Sequence, residues 1–154
     1  MHLLQDKVAI VTGASSGIGR AIAAMFAAQG AAVVLAARNA DALQQLADDI
    51  HRRGGRAYAL AGDVQDEAAH AQWVAAAQRE FGGLDIAINN AGTVGPIQPL
   101  ADLTLAQWQQ TLGTNLTAAY LGARSQIPAM LARGGGALVF TSSFVGTSVG
   151  LPGM

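Results

Sequence analysis

Short apolar runs alternate with longer amphipathic stretches along the whole chain. The runs do not alternate in polarity, and glycine or polar residues bound them. This pattern is typical of strands that are buried on both faces of a parallel sheet. The predicted strands are Val8–Val11, Ala32–Ala36, Ala57–Ala61, Leu84–Ile88 and Ala137–Phe140.

The stretches between these runs have the length and periodicity of helices, and glycines follow them where helix C-terminal caps occur. Repeated strand–helix units with right-handed crossovers predict a doubly wound α/β fold, with a parallel sheet between two helical layers. A length of 154 residues suits one such domain. The predicted helices are Ile18–Gln29, Ala40–Arg53, Glu67–Phe81 and Leu105–Leu131.

Composition narrows the function classes. Charged residues make up only 12% of the chain, so much surface is available for burial, including burial against other subunits. The net charge of -1 gives no electrostatic reason to expect nucleic acid or an anionic membrane as a partner. The sequence contains no cysteine, which excludes disulfides, thiolate catalysis and cysteine metal sites within it. His2, His51 and His70 lack metal-ligand spacing, and we expect them to be surface residues.

The first residues lack the long apolar core of a signal peptide. The apolar stretch Ala21–Ala37 is interrupted by Gln29 and Gly30, and it is shorter than the roughly 20 residues that a membrane span needs. We therefore interpret it as a helix, a turn and a strand, and we expect the protein in the cytoplasm.

The segment TGASSGIG at positions 12–19 joins the first strand to the first helix. A pyrophosphate needs backbone N–H groups at a helix N-terminus, with no side chain in its way. In that context Gly13 makes the turn, Gly17 lets the backbone approach phosphate, and Gly19 lets the helix pack closely. The two serines between Gly13 and Gly17 add hydroxyl groups. The position predicts a dinucleotide site, although a purely structural turn is the alternative.

Three further segments occur in an order and spacing that make the chain resemble the short-chain dehydrogenase/reductase family. Asp63-Val64 follows the third strand, and Asn-Asn-Ala-Gly at 89–92 ends the fourth. Thr-Ser-Ser at 141–143 lies three residues before Gly146, as the family's serine segment does. Together with the turn at 12–19, these motifs cover the whole chain.

The resemblance implies a Rossmann-like NAD(P)-binding domain over residues 1–154, ending after the fifth strand and incomplete at its C-terminal end. Asp63, Asn89 and Asn90 are also ordinary strand-end turn residues, and Asn90 could link strands four and one without touching ligand. The resemblance assigns to the cofactor Gly13, Ser15, Ser16, Gly17, Ile18, Gly19, Arg38, Asp63, Val64, Asn90, Ala91 and Gly92.

The end of the second strand bears on the choice between NADP(H) and NAD(H). An acidic residue there would bind the ribose 2′-hydroxyl, but this chain has Ala37 followed by Arg38. An arginine can bind the 2′-phosphate, so we expect NADP(H), with NAD(H) as the alternative. Ser16 stands where many family members carry a second cation, and Arg38 could instead be a solvated residue that starts the next helix.

The resemblance implies hydride transfer between the nicotinamide and a carbon that bears a hydroxyl or keto group. Ser143 matches the serine that holds the substrate oxygen, with Ser142 as the alternative. Asn115 matches the asparagine that anchors a water at a helix kink, and an exposed helix asparagine is the other interpretation. Residues 93–103 would form one wall of the substrate pocket.

The family's Tyr-x-x-x-Lys pair is absent from the sequence, where Tyr58 and Tyr120 are the tyrosines and Lys7 is the lysine. By the family's spacing the pair falls just beyond Met154, and residues 149–154 resemble the lead-in to it. We therefore expect an N-terminal fragment that has no appreciable turnover by itself.

Three functions remain open at this point. The first is an NADP-dependent alcohol dehydrogenase or ketoreductase, with a 3-oxoacyl thioester, a sugar, a steroid or a simple ketone as substrate. The second is a non-catalytic NADP-binding or redox-sensing module, and the third is a structural domain of flavodoxin-like build. The resemblance also implies a homo-oligomer, because in the family the long helix from Leu105 packs against a partner subunit.

Overall fold

The computed structural model describes residues 2–143. In this part of the chain five strands form one sheet with the order β3-β2-β1-β4-β5, and every pair is parallel. The predicted doubly wound parallel sheet is therefore confirmed. The strands are β1 (Val8–Thr12), β2 (Ala32–Ala37), β3 (Arg56–Ala61), β4 (Ile86–Asn89) and β5 (Ala137–Phe140).

Helices cover both faces of the sheet and give the predicted three layers. One apolar core joins the sheet to α1 and α2, and a second joins its other face to α3 and α5. None of the helices among residues 2–143 has the length and apolar character that crossing a membrane requires. The helices are α1 (Gly17–Ala28), α2 (Ala40–Arg52), α3 (Glu67–Phe81), α4 (Leu105–Leu112) and α5 (Ala118–Ala132), with a 3₁₀ turn at Leu100–Asp102.

The prediction of one continuous helix from Leu105 to Leu131 is wrong in its middle. A π-helical segment, Gly113–Thr117, separates α4 from α5. A wide turn of this kind shifts the hydrogen-bond register, and it is common at functional sites. Glycine and threonine have weak helix propensity, so this stretch resists the change of register less than its neighbours do.

The outer face of α4, the π-helical segment and α5 is apolar and uncovered by residues 2–143. Its large side chains recur mostly every three or four residues, which places them on one side of the helical rod. They are Leu105, Trp108, Leu112, Leu116, Tyr120, Ile127 and Leu131, each more than a third exposed.

A polar anchor fixes the amino-terminal edge of the sheet. The Val8 N–H donates to Asp85 Oδ2 at 2.8 Å, and Arg133 Nε donates to Asp85 Oδ1 at 2.9 Å. The Asp85 side chain is only 13% exposed, so solvent screens these bonds weakly. Arg133 also donates to the carbonyls of Gly82 and Asp6, so one ion pair joins β1, the loop before β4 and the end of α5.

Replacing this carboxylate should destabilise the fold. We expect Asp85→Ala to lower the free energy of unfolding by about 2–3 kcal/mol, because it removes two charge-assisted acceptors from partly buried donors. The exposed Asp48, whose carboxylate accepts from the Gln44 amide alone within residues 2–143, is the control, and Asp48→Ala should change stability by less than about 0.5 kcal/mol. Urea denaturation measures both, and equal losses would contradict an anchoring role for Asp85.

Candidate functional site

The carboxyl ends of the strands form a long groove where the strand order reverses. β1 lies between β2 and β4, so the connections after β1 and β4 leave in opposite directions and open a crevice between them. One part of the groove, a cleft of about 680 Å³, is lined by the turn after β1 and the ends of β2 and β3. The other part, a recess of about 590 Å³, lies beside β4, β5 and the π-helical segment. Both parts share the lining residues Val64, Asn90, Ala91, Gly92, Thr114 and Thr141.

The turn after β1 depends on Gly13 for two reasons. Its φ of +68° lies in the left-handed region, where residues with a Cβ are strained. A Cβ there would also lie 2.9 Å from Asn90 Nδ2 and 3.1 Å from the Ala91 Cα. The end of β4 therefore approaches the turn so closely that no side chain fits between them.

Gly17 opens α1 toward the cleft. Its φ is +52°, and a Cβ placed on it would meet no atom within 4 Å. Ser16 precedes the helix and makes no capping hydrogen bond through its side chain, so it does not occupy the first-turn N–H groups. Ser15 and Ile18 also line the cleft. The space and the donors fit a phosphate group at this helix N-terminus.

Gly19 is buried behind the turn and does not line the groove. A Cβ on it would collide with the Gly13 carbonyl oxygen and would lie 2.7 Å from Asn90 Nδ2. Gly19 therefore lets α1 pack against the turn and the end of β4, and its assignment to the cofactor stays a prediction.

Asn90 links the strands and also faces the groove. Its backbone N–H and that of Ala91 donate to Thr12 Oγ1 at 3.0 and 3.1 Å. Its side chain donates to the Thr12 carbonyl at 3.3 Å and accepts from Thr141 Oγ1 at 3.2 Å. The structural role is thus present, and the position on the groove leaves room for the ligand role as well. Thr12 and Thr141 were not among the predicted site residues, although Thr12 ends an apolar run.

Asn89 is half-buried at the wall of the recess, where it forms an amide pair with the buried Gln126. Its Nδ2 donates to Gln126 Oε1 at 2.8 Å, and Gln126 Nε2 donates back to Asn89 Oδ1 at 3.1 Å. Gln126 is 1% exposed, and Gly122 leaves room for the Asn89 amide. This pair ties β4 to α5, so the structural interpretation of Asn89 accounts for its side chain.

Arg38 and Asp63 follow β2 and β3, and they are the charged residues among those that line the cleft. Asp63 Oδ1 accepts from the Gln65 N–H at 3.0 Å, so the predicted turn role is present at a residue that also lines the cleft. Arg38 is exposed and forms no ion pair within residues 2–143. Asn39 caps α2 by accepting from the Ala42 N–H at 3.0 Å.

His70 is not the surface residue that the sequence predicts. It is 2% exposed on the inner face of α3, and its ring packs edge-on against Trp73. Burial lowers the pKa of His70 below its ordinary value of 6.5, against smaller opposing effects of the Val64 carbonyl and Asp66. Residues 2–143 contain no cluster of His, Cys, Asp and Glu that could hold a metal ion.

Asn115 lies in the π-helical segment and latches the loop that follows β4. Its Oδ1 accepts from the Thr93 N–H at 2.9 Å, and its Nδ2 donates to the Thr93 carbonyl at 2.8 Å. The helix is irregular at this residue, because the π-helical segment replaces the α-helical register there. These two hydrogen bonds to the Thr93 backbone fix one side of the recess.

Ser142 and Ser143 follow β5 and line the same recess as Asn115. Among residues 2–143, the side chains that line the recess include no Asp, Glu, Lys or Arg. Gly146 and residues 149–154, which entered the sequence interpretation, lie outside the described residues. The groove therefore brings a phosphate-compatible turn, an arginine, an asparagine and two serines along one continuous path.

Comparison with known proteins agrees with this geometry. The family model described as short chain dehydrogenase matches residues 7–154. The chain is 38% identical to a cyclohexanol dehydrogenase of Acinetobacter sp. (strain SE19) over 92% of its own length, and covers 56% of that enzyme. The chain thus spans about half the length of the curated relatives that it matches.

Solved structures of short-chain oxidoreductases also superpose closely on this chain. A 3-ketoacyl-ACP reductase from Sinorhizobium meliloti 1021 superposes with a TM-score of 0.92 at 41% identity, over 95% of this chain and 58% of that one. A metagenomic short-chain oxidoreductase in complex with NADP superposes with a TM-score of 0.89 at 35% identity, over 97% of this chain and 67% of that one.

The two glycines of the turn should differ in their effect on stability. We expect Gly19→Ala to lower the free energy of unfolding by about 3 kcal/mol, because the methyl group meets backbone that cannot move independently. Gly17→Ala should cost only about 1 kcal/mol, since its methyl group enters open space and only the positive φ opposes it. Urea denaturation of both variants measures the difference, and a greater loss for Gly17→Ala would contradict this packing.

Proposed function

Because the chain belongs to the short-chain dehydrogenase family, we propose that it is the cofactor-binding part of an oxidoreductase that transfers hydride between NADP(H) and an alcohol or ketone. The observation that carries the proposal is the single groove in which the glycine turn and Arg38 occupy one part and Asn115 and Ser143 the other. A dinucleotide has the same division, with phosphates and adenosine at one end and the reactive ring at the other.

The residues of the cleft suit a nicotinamide dinucleotide. The pyrophosphate would lie at the turn, against Gly13, Ser15 and Gly17, where backbone donors meet open space. The Asp63 carboxylate and the Val64 backbone would face the adenine, and the segment Asn90–Gly92 would support the nicotinamide half. The cofactor supplies the hydride chemistry, while the chain binds and orients it.

Arg38 is the residue that we propose for reading the 2′-phosphate. It lines the cleft beside Gly13 and Ser16, is exposed, and forms no ion pair in the described part of the chain. An unpaired guanidinium can form charge-assisted bonds with a phosphate without first breaking a protein contact. The neighbouring Ala37 offers no carboxylate to a ribose hydroxyl, which favours NADP(H) over NAD(H).

A charge reversal tests this assignment. Arg38→Asp should raise the Kd for NADP(H) about ten- to a hundredfold, because it removes a charge-assisted bond and adds repulsion, and it should leave NAD(H) binding equal or stronger. Arg53→Asp is the matched control, since Arg53 lies in a separate hollow between α1 and α2. Unchanged NADP(H) affinity in Arg38→Asp, measured by fluorescence titration, would remove Arg38 from the site.

We assign substrate orientation to Ser143, with Ser142 as the alternative, and a supporting role in proton transfer to Asn115. These residues line the recess next to the shared part of the groove, within reach of a ring held at Asn90–Gly92. The proton would come from a tyrosine whose pKa is lowered by a nearby lysine. This sequence contains no Tyr-x-x-x-Lys pair that could serve in that way. Relatives named as a cyclohexanol dehydrogenase and a 3-ketoacyl-ACP reductase support a secondary alcohol or 3-oxo substrate class.

The catalytic assignment predicts a difference between the 154-residue chain and a longer protein that contains it. The chain by itself should show no NADPH-dependent carbonyl reduction, because it lacks the proton donor. In the protein at its natural length, Ser143→Ala should lower kcat about a hundredfold or more, with the Kd for NADPH unchanged.

Two variants serve as controls in that assay. Ser125→Ala makes the same chemical change on α5, away from the recess, and should leave kcat unchanged. Ser142→Ala distinguishes the two serines, since the larger loss identifies the one that holds the substrate oxygen. Turnover by the 154-residue chain would refute the need for a later tyrosine, whereas NADP(H) binding without turnover at natural length would favour a redox-sensing module.

We also propose that the full-length protein is a homo-oligomer, a dimer or a tetramer. The apolar outer face of α4 and α5 supports this, because contiguous exposed apolar surface of this kind marks association sites.

A further inference from the structure

The buried His70 lines the recess, and within residues 2–143 its one polar contact is with the turn that follows β3. Its Nε2 lies 2.7 Å from the Val64 carbonyl oxygen. A carbonyl can only accept, so Nε2 carries the hydrogen and donates it. The other ring nitrogen, Nδ1, is buried and has no hydrogen-bond partner within the part of the chain that the structure describes. Burying Nδ1 without a hydrogen bond costs free energy, and an apolar side chain would avoid this cost. The bond to the Val64 carbonyl is therefore what histidine offers here and an apolar residue does not.

Val64 belongs to the part of the turn that faces the groove. Asp63 and Val64 both line the cleft, and Val64 also lines the recess. The neighbouring polar groups of the turn are bonded within it, since the Asp66 N–H donates to the Asp63 carbonyl at 3.0 Å. The Val64 carbonyl instead points to α3, where His70 is its donor. The Val64 carbonyl and the Gln65 N–H belong to one peptide group, which is held by His70 at the carbonyl and by Asp63 Oδ1 at the N–H.

The same turn touches the π-helical segment. The Gln65 side chain lies directly against Gly113, so a Cβ on that glycine would collide with it. The Gln65 N–H in turn donates to Asp63 Oδ1. Gln65 thus occupies the space between the turn and the helix that carries Asn115, and it limits how far the turn can shift once the Val64 carbonyl is held.

We propose that His70 is a positioning residue for nucleotide binding. Through its bond to the Val64 carbonyl, it holds Asp63 and Val64 in place for the adenosine half of the nucleotide. This inference rests on the proposed nucleotide site. Without this bond, the Val64 carbonyl has no donor in the protein interior, and rotating the carbonyl toward water lowers the free energy of the turn. The adenosine subsite is then no longer preformed, and binding has to restore it.

Replacement of His70 by residues of different reach tests the proposal in the protein at its natural length. Glutamine can place an amide nitrogen near the position of Nε2 and should keep the affinity for NADPH within about twofold of wild type. Asparagine is too short and phenylalanine has no donor, so His70→Asn and His70→Phe should each raise the Kd about tenfold. The same loss should appear with 2′,5′-ADP, which carries only the adenosine half.

Trp73→Phe is the matched control. Trp73 lies on the same helix, is equally buried, and donates Nε1 to the Leu60 carbonyl at 2.9 Å, but it does not line the groove. Trp73→Phe should therefore lower the melting temperature and leave the Kd for NADPH and 2′,5′-ADP unchanged. Every variant is titrated below its own melting transition, so loss of fold is not counted as loss of affinity.

The outcomes separate this proposal from the proposed function. If wild type binds neither NADPH nor NADH, the nucleotide site fails, and the role of His70 fails with it. If wild type binds NADPH and His70→Asn binds it equally well, only the role of His70 is overturned. An equal loss in His70→Gln or in Trp73→Phe would also overturn it, because the effect would then follow from destabilised packing rather than from the bond to Val64.

Discussion

The close approach of two backbone segments at the reversal point of the sheet is the constraint on which the rest of the site depends. The turn after β1 and the end of β4 meet without any intervening side chain, because Gly13 and Gly19 each leave the space that a Cβ would fill. Asn90 lies at this junction, where its side chain donates to the Thr12 carbonyl at the end of β1 and accepts from Thr141 after β5. This contact sets the width of the groove and aims the N-terminus of α1 into it.

Polar residues at the carboxyl edge of the sheet then divide into two groups. Thr12, Asn90 and Thr141 join β1, β4 and β5 directly above the sheet and face the groove. Asn89, which also lines the recess, pairs with the buried Gln126 and ties β4 to α5. The two adjacent asparagines therefore connect different elements, Asn90 the neighbouring strands and Asn89 the helix α5.

The recess depends on a change of helical register rather than on a loop. The π-helical segment between α4 and α5 presents the Asn115 amide to the Thr93 backbone, which fastens the loop after β4 to the helix. On the other side, Gln65 lies against Gly113. The turn after β3, which lines the cleft, and the loop after β4, which lines the recess, are thus in contact with the same helical segment.

Local sequence determined much of this molecule. The strands, the helices and the parallel sheet follow from apolar runs and glycine boundaries, since burial on both faces of a strand leaves a clear pattern. The positions of Gly13, Gly17 and Gly19 between a strand and a helix likewise predict the turn, because backbone conformation there depends on neighbouring residues. The tertiary structure alone decided which long-range contacts form: the burial of His70 against Val64 and the pairing of Asn89 with Gln126. Each of these joins segments that are distant in sequence or depends on packing from the other layer, so local patterning carries no signal for it.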